Sequence, residues 1–150
     1  MGILALDLEF EKPEEIMLAT LLSDVGLLCL GEKHDLEDYK LHPLKSINLV
    51  LERKLPLDEN IKKIILFSHE NCLKTGFPKG KDVNADKIPP ESQLIQICQM
   101  LDEKSLIKKG ELRPNLEEVK QVLLEDLSKS RLFELSLIAK LKNYWQLKSA

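Results

Sequence analysis

The sequence is poor in aromatics, at 5%, and has only six glycines in 150 residues, set against many Leu, Ile, Glu and Lys. Straight-chain residues lose little rotamer freedom in a helix, so this balance favours helices over sheet. Cys29, Cys72 and Cys98 are odd in number, scattered and without CxxC spacing, which excludes a disulfide framework and a zinc knuckle and fits a reducing cytosol. No apolar run approaches the roughly 20 residues that span a bilayer. The start, "MGILALDLEFEKPEE", lacks the basic and apolar regions of a signal peptide. Leu6 stands where a myristoylation signal needs Ser or Thr. A soluble, unanchored, cytoplasmic protein is expected. There is no basic excess either: the formal net charge of -3 argues against a broad nucleic-acid surface, while leaving room for a local positive pocket.

With 43% hydrophobic and 31% charged residues, residues 1–150 suit one globular, mostly α domain with a sizeable core. Pro13, followed by Glu14 and Glu15, predicts a helix start, and the apolar run "IMLATLLSDVGLL" predicts a helix buried on most sides. Ser23 and Asp24 interrupt that run. A carboxylate there either caps or faces outward near Gly26, or is paired, hydrogen-bonded or bound to a metal. Asp35 is a candidate cap for "LEDYKLHPLKSINLVLERK", with Pro43 expected to break or kink it just after His42. A histidine before a proline can be structural or a ligand. Asp58 caps "ENIKKIILFSHENC", where Ile61, Ile64 and Ile65 share a face with His69 beside it.

From Lys74 to Pro89 the composition turns to Gly, Pro, Lys and Asp, a loop longer than a mere connector needs and hence a functional candidate. "PPESQLIQICQMLDEKSLIKK" resumes a helix, ended by Gly110, in which Gln99 and Asp102 can share a face. Asn115 with Glu118 resembles a capping box for the next helix. The last, "RLFELSLIAKLKNYWQLK", has Leu132, Leu135, Ile138, Leu141 and Trp145 as its stripe, for the core or for a partner. No internal repeat is visible, so one domain of about five to seven helices is expected.

The order of "LATLLSDVGLL", "YKLHP", "SHENCLKTGFPKG" and "KIPPESQLIQICQMLDEKS" resembles that of the HD-GYP family, whose pattern runs roughly "LLHDIGK", "HP", "HHExxDGxGYPxG" and "IPxxARIxxxADxFDA". These are helical bacterial metallo-phosphodiesterases of the HD superfamily that cleave cyclic di-GMP. The likeness covers residues 17–102, and helices over about 115–148 lie beyond it. It implies an HD-superfamily helical bundle, with or without the first family helix, since an upstream histidine used by family members would fall before Met1.

The resemblance places Asp24, His42 and His69 at metal-ligand positions. It places Ser23 and Ser68 where the family has histidines, Leu27 where it has a lysine near the phosphate, and Gln99 where it has a metal-binding aspartate. Asp102 keeps the second aspartate of that element, and Glu70, Gly76 and Pro78 are retained, with Phe77 for tyrosine and Leu73-Lys74 for Asp-Gly.

Two-metal hydrolysis in that family rests on about half a dozen imidazole and carboxylate ligands, and serine and glutamine are poor substitutes. A degenerate site follows, with no catalytic residue and no cofactor expected; the alternative is one Fe, Mn, Ni or Zn ion on Asp24, His42 and His69, with His34 or Glu70 assisting. The leading expectation is a noncatalytic regulatory or protein-interaction module in bacterial signalling. Its ligand or partner loop would comprise Glu70, Lys74, Gly76, Phe77, Pro78 and Lys79, unless the lysines, with Lys81, are simply solvated. A weak cyclic dinucleotide binder, a residual one-metal phosphodiesterase and an unrelated helical domain are the alternatives. No nucleic-acid or membrane partner is expected, and the oligomeric state is open.

Overall fold

Capping side chains and prolines set most of the helix starts. The structure, a computed structural model, describes residues 1–31, 34–106 and 115–148. Among these residues it is all-helical, with eight α-helices and no strand. They are α1 (Gly2–Asp7), α2 (Pro13–Leu22), α3 (Leu36–Lys40), α4 (His42–Glu52), α5 (Glu59–Leu66), α6 (Pro90–Ser105), α7 (Leu116–Ser130) and α8 (Leu135–Lys148). The expected Asp caps form: Asp35 accepts from the Asp38 N–H at 2.8 Å and Asp58 from the Asn60 N–H at 2.8 Å. Asn115 accepts from the Glu117 N–H at 3.0 Å. Each satisfies a donor left free in a first turn.

The helix count exceeds the expected range for two reasons. The segment around Pro43 is two helices, and the break falls at Leu41, before His42, because a proline in the first turn starts a helix without losing a needed N–H. In addition, α1 carries no cap or periodicity strong enough to read. Three further expectations need correction. The run after Pro13 does not continue as one helix: α2 stops at Leu22, and a 3-10 turn occupies Val25–Cys29. Nor is α2 buried on most sides, since only Ile16 and Ala19 are buried while Met17, Leu18 and Leu21 are exposed. The final helix begins at Leu135, after a link, and Leu135 points to solvent while Leu137 joins Ile138, Leu141 and Trp145 inside. Gly110 lies outside the described residues; α6 ends at Ser105.

The core forms where α2 packs on α1, α5 and α6, α4 on α5, and α6 on α7, which in turn meets α8. Ile16, Ile64, Ile65, Leu94, Ile97, Leu123 and Leu141 are among its solvent-free members. A satellite cluster of Phe67, Val83 and Ile88 pins the 74–89 loop against the end of α5. The 3-10 turn 25–29 lies on α4, so the chain leaving α2 is brought against the helix that begins with His42. No helix among the described residues is long and apolar enough to cross a membrane.

These packing differences predict unequal stability losses on α8. Leu141→Ala should lower unfolding free energy by about 2–5 kcal/mol in urea titrations, and Leu135→Ala by less than about 0.5 kcal/mol.

Candidate metal centre

Three segments far apart in sequence deliver three donor atoms to one point. Asp24 sits between α2 and the 3-10 turn, with its backbone in the right-handed helical region at φ -106°, ψ 0°. His42 opens α4 and His69 follows α5. His42 Nε2 lies 3.3 Å from Asp24 Oδ1, His69 Nε2 lies 3.8 Å from the same oxygen, and the two Nε2 atoms are 3.1 Å apart. The point equidistant from the three atoms is about 2 Å from each, the bond length of a divalent transition metal to imidazole or carboxylate. Two imidazoles and one carboxylate with open positions form a donor set suited to Fe(II), and imidazole equally suits Zn and Ni. Among the described residues this is the one cluster of at least three His, Cys, Asp or Glu donors that converges in this way.

The surroundings prepare His42 for such a role. Its ring is fully buried, and its Nδ1 lies 2.8 Å from the Tyr39 carbonyl oxygen. A carbonyl only accepts, so Nδ1 carries a proton and Nε2 faces the cluster, where it donates to Asp24 when protonated and offers its lone pair to a metal when it is not. Phe77 stacks on His69, ring centres 4.5 Å apart and 14° from parallel, and meets His42 edge-on at 5.7 Å. Tyr39 touches both His42 and Phe77. Hydrogen bonds from His42, and then from His69, hold the Asp24 carboxyl well below the usual carboxylate range, against the opposing effect of its partial burial.

The loop after His69 is shaped to keep Phe77 there. Glu70 is fully buried, and its carboxylate accepts from the backbone N–H groups of Lys79 and Gly80. It closes the loop and is not a member of the donor cluster. Gly76 leaves no room for a side chain, since a Cβ would lie 2.1 Å from the His69 carbonyl oxygen. Lys74, at the position where the family pattern has glycine, takes the left-handed φ of 60°, a conformation that costs a non-glycine residue about 1–2 kcal/mol.

A cleft of about 480 Å³ opens beside the cluster. It brings together Asp24, Leu27, His69, Phe77, Gln99 and Asp102 from the sequence-predicted set, and adds Tyr39, Gln96, Glu103 and Phe133. Gln96 Oε1 is buried without a hydrogen-bond partner. No lysine or arginine is among the described residues that line the cleft, so the position of Leu27 leaves no cation there. Lys79 Nζ lies instead over the Phe67 ring at 5.0 Å. The hydroxyls of Ser23 and Ser68 are turned away: Ser23 donates to the Thr20 carbonyl at 3.1 Å and Ser68 to the Ile65 carbonyl at 2.9 Å. His34 is outside the cluster, its Nδ1 3.0 Å from the Gly31 carbonyl oxygen.

Sequence reasoning missed Tyr39 and Ser46, although both stand at helical spacing from His42, three before and four after. Ser46 Oγ accepts from the Gly26 N–H and donates to the Ser23 carbonyl, both at 2.7 Å.

With this geometry in view, the family is clear. The chain belongs to the HD domain family, whose model matches residues 2–114, a span that takes in Asp24, His42, His69 and Gln99 and leaves α7 and α8 outside. No curated protein and no solved structure gives a significant match.

The lowered pKa of Asp24 has a signed consequence for metal-free protein. Stability from a depressed carboxyl is full above its unfolded value, near pH 4, and is lost as pH falls through the folded value. In chelator, the stability gap between wild type and Asp24→Asn should be constant at neutral pH and shrink below about pH 4. Urea midpoints measured down the pH scale check this, and a gap that widens on acidification contradicts it.

Proposed function

We propose that this HD domain is a binding module rather than a hydrolase, organised around one divalent transition-metal ion held by Asp24, His42 and His69. The observation that carries it is the convergence of those three donor atoms, and of no others among the described residues. The serines at the two positions where the HD-GYP pattern has histidines turn to carbonyls of their own helices, which argues against a second ion held in the way two-metal hydrolysis requires. The bound ion supplies a Lewis acid for one oxygen of a ligand.

The chain's own residues then limit what can follow. Tyr39 fixes the orientation of His42, and Phe77 forms the wall over His69. Asp102 and Glu103 at the cleft, with Leu27 in place of a cation, leave the remaining charge of a phosphodiester without a partner. Stabilising that charge is usually the largest part of such catalysis. A protein partner docking on the loop Lys74–Lys79 is the leading function, in keeping with a regulatory HD-GYP-like module of bacterial signalling; weak binding of a cyclic dinucleotide is the alternative ligand.

A residual one-metal phosphodiesterase is the second candidate, favoured by the His42 tautomer and by the open cleft beside the cluster. The two separate in a direct assay. Protein supplied with Mn(II) or Fe(II) should turn over neither bis(p-nitrophenyl) phosphate nor cyclic di-GMP faster than its His69→Ala variant. Turnover that disappears in His69→Ala overturns the binding module and establishes the phosphodiesterase.

A further inference from the structure

Ser46 is fully buried on α4, one turn beyond His42, and its hydroxyl is used in both directions. It donates to the carbonyl of Ser23 and accepts from the N–H of Gly26, each at 2.7 Å. These two backbone groups flank Asp24 on either side, and one side chain therefore grips both ends of the turn that presents the carboxylate.

The grip is tight because Gly26 lies directly on the first turn of α4. A Cβ at position 26 would stand 2.2 Å from the His42 carbonyl oxygen and 2.5 Å from the Ser46 nitrogen. The same helical face thus carries His42 and, four residues on, the group that fixes Asp24. Backbone bonds from Ser23 N–H to the Ala19 carbonyl and from Leu27 N–H to the Asp24 carbonyl shape the turn itself, but among the described residues no other side chain bridges Ser23 and Gly26: the Ser23 hydroxyl goes back to α2, and Asp24 makes no side-chain cap of its own. Asp24 is half-exposed, so its 3.3 Å approach to His42 depends on how the turn is seated on α4.

We infer that Ser46 is a positioning residue for the metal centre, holding Asp24 in register with His42. This rests on the single-metal reading for its functional meaning, but not for its structural content. Residues that orient metal ligands typically account for tenfold to a hundredfold in affinity, and polar groups left unpaired by Ser46→Ala in a buried site have no water to turn to.

The test compares Zn(II) affinity by calorimetry in wild type, Ser46→Ala and Ser92→Ala. Ser92 is an equally buried serine that donates to the Ile64 carbonyl at 2.9 Å, outside the centre, and it controls for lost stability. Ser46→Ala should bind Zn(II) about 10–100-fold more weakly, and Ser92→Ala within about twofold of wild type. Equal affinity in Ser46→Ala and wild type overturns the inference. Should Ser46→Ala not fold, Ser46→Cys, which fills the space with a poorer hydrogen-bonding group, is read in the same way.

A metal-free readout separates this inference from the metal reading. In the crystal structure of the metal-free variant, Asp24 should leave ion-pair distance of His42, and the Gly26 amide should lose protection from hydrogen exchange. An unmoved Asp24 overturns the positioning role even if wild type binds metal. A displaced Asp24, in a protein whose wild type takes up no ion, retains the positioning role and sinks the single-metal reading.

Discussion

His42 is buried without solvent contact while both of its ring nitrogens are committed, one to the Tyr39 carbonyl and the other to the face shared with Asp24 and His69. A buried imidazole must have its polar atoms satisfied, and here that requirement ties three segments together. It fastens the start of α4 to the last turn of α3, because the carbonyl that His42 uses belongs to Tyr39, three residues before it. It also draws the turn after α2 onto α4, and it gives His69 and the stacked Phe77 a surface to close against.

The same constraint separates the residues that meet at the site from those that border it. Asp24, His42 and His69 are mutually dependent, each within 4 Å of another, whereas Ser23 and Ser68 are absorbed into ordinary helix-end hydrogen bonds. A hydroxyl at such a position is satisfied without reaching the cluster, since the serine finds a carbonyl one turn back. Glu70 is buried for a different reason. Its carboxylate holds the backbone at Lys79 and Gly80, which sets the shape of the loop and the placement of Phe77.

Much of this was legible in the sequence. Asp35, Asp58 and Asn115 cap as their positions suggest, and the convergence of Asp24, His42 and His69 was anticipated from the likeness of four ordered motifs to a helical metal-binding family. The helix boundaries around Ser23 and Pro43 were less so, because a run of apolar residues does not mark where a helix tightens into a 3-10 turn, and a proline can start a helix as well as end one. Leu135 belonged to a stripe read as core or partner contact, and its spacing did not show that the helix starts only there with its side chain facing out. Ser46 carried only its helical spacing from His42: its importance lies in two backbone groups 20 and 23 positions upstream, and only the folded chain brings them within reach.

The count of metal ions at the cluster bears most directly on the central claim. Crystals soaked in Mn(II) or Zn(II) and measured at the absorption edge of the ion should give a single anomalous peak per chain, about 2.0–2.2 Å from Asp24 Oδ1, His42 Nε2 and His69 Nε2. Two peaks a few ångströms apart, or none at all with the cleft open, would contradict it.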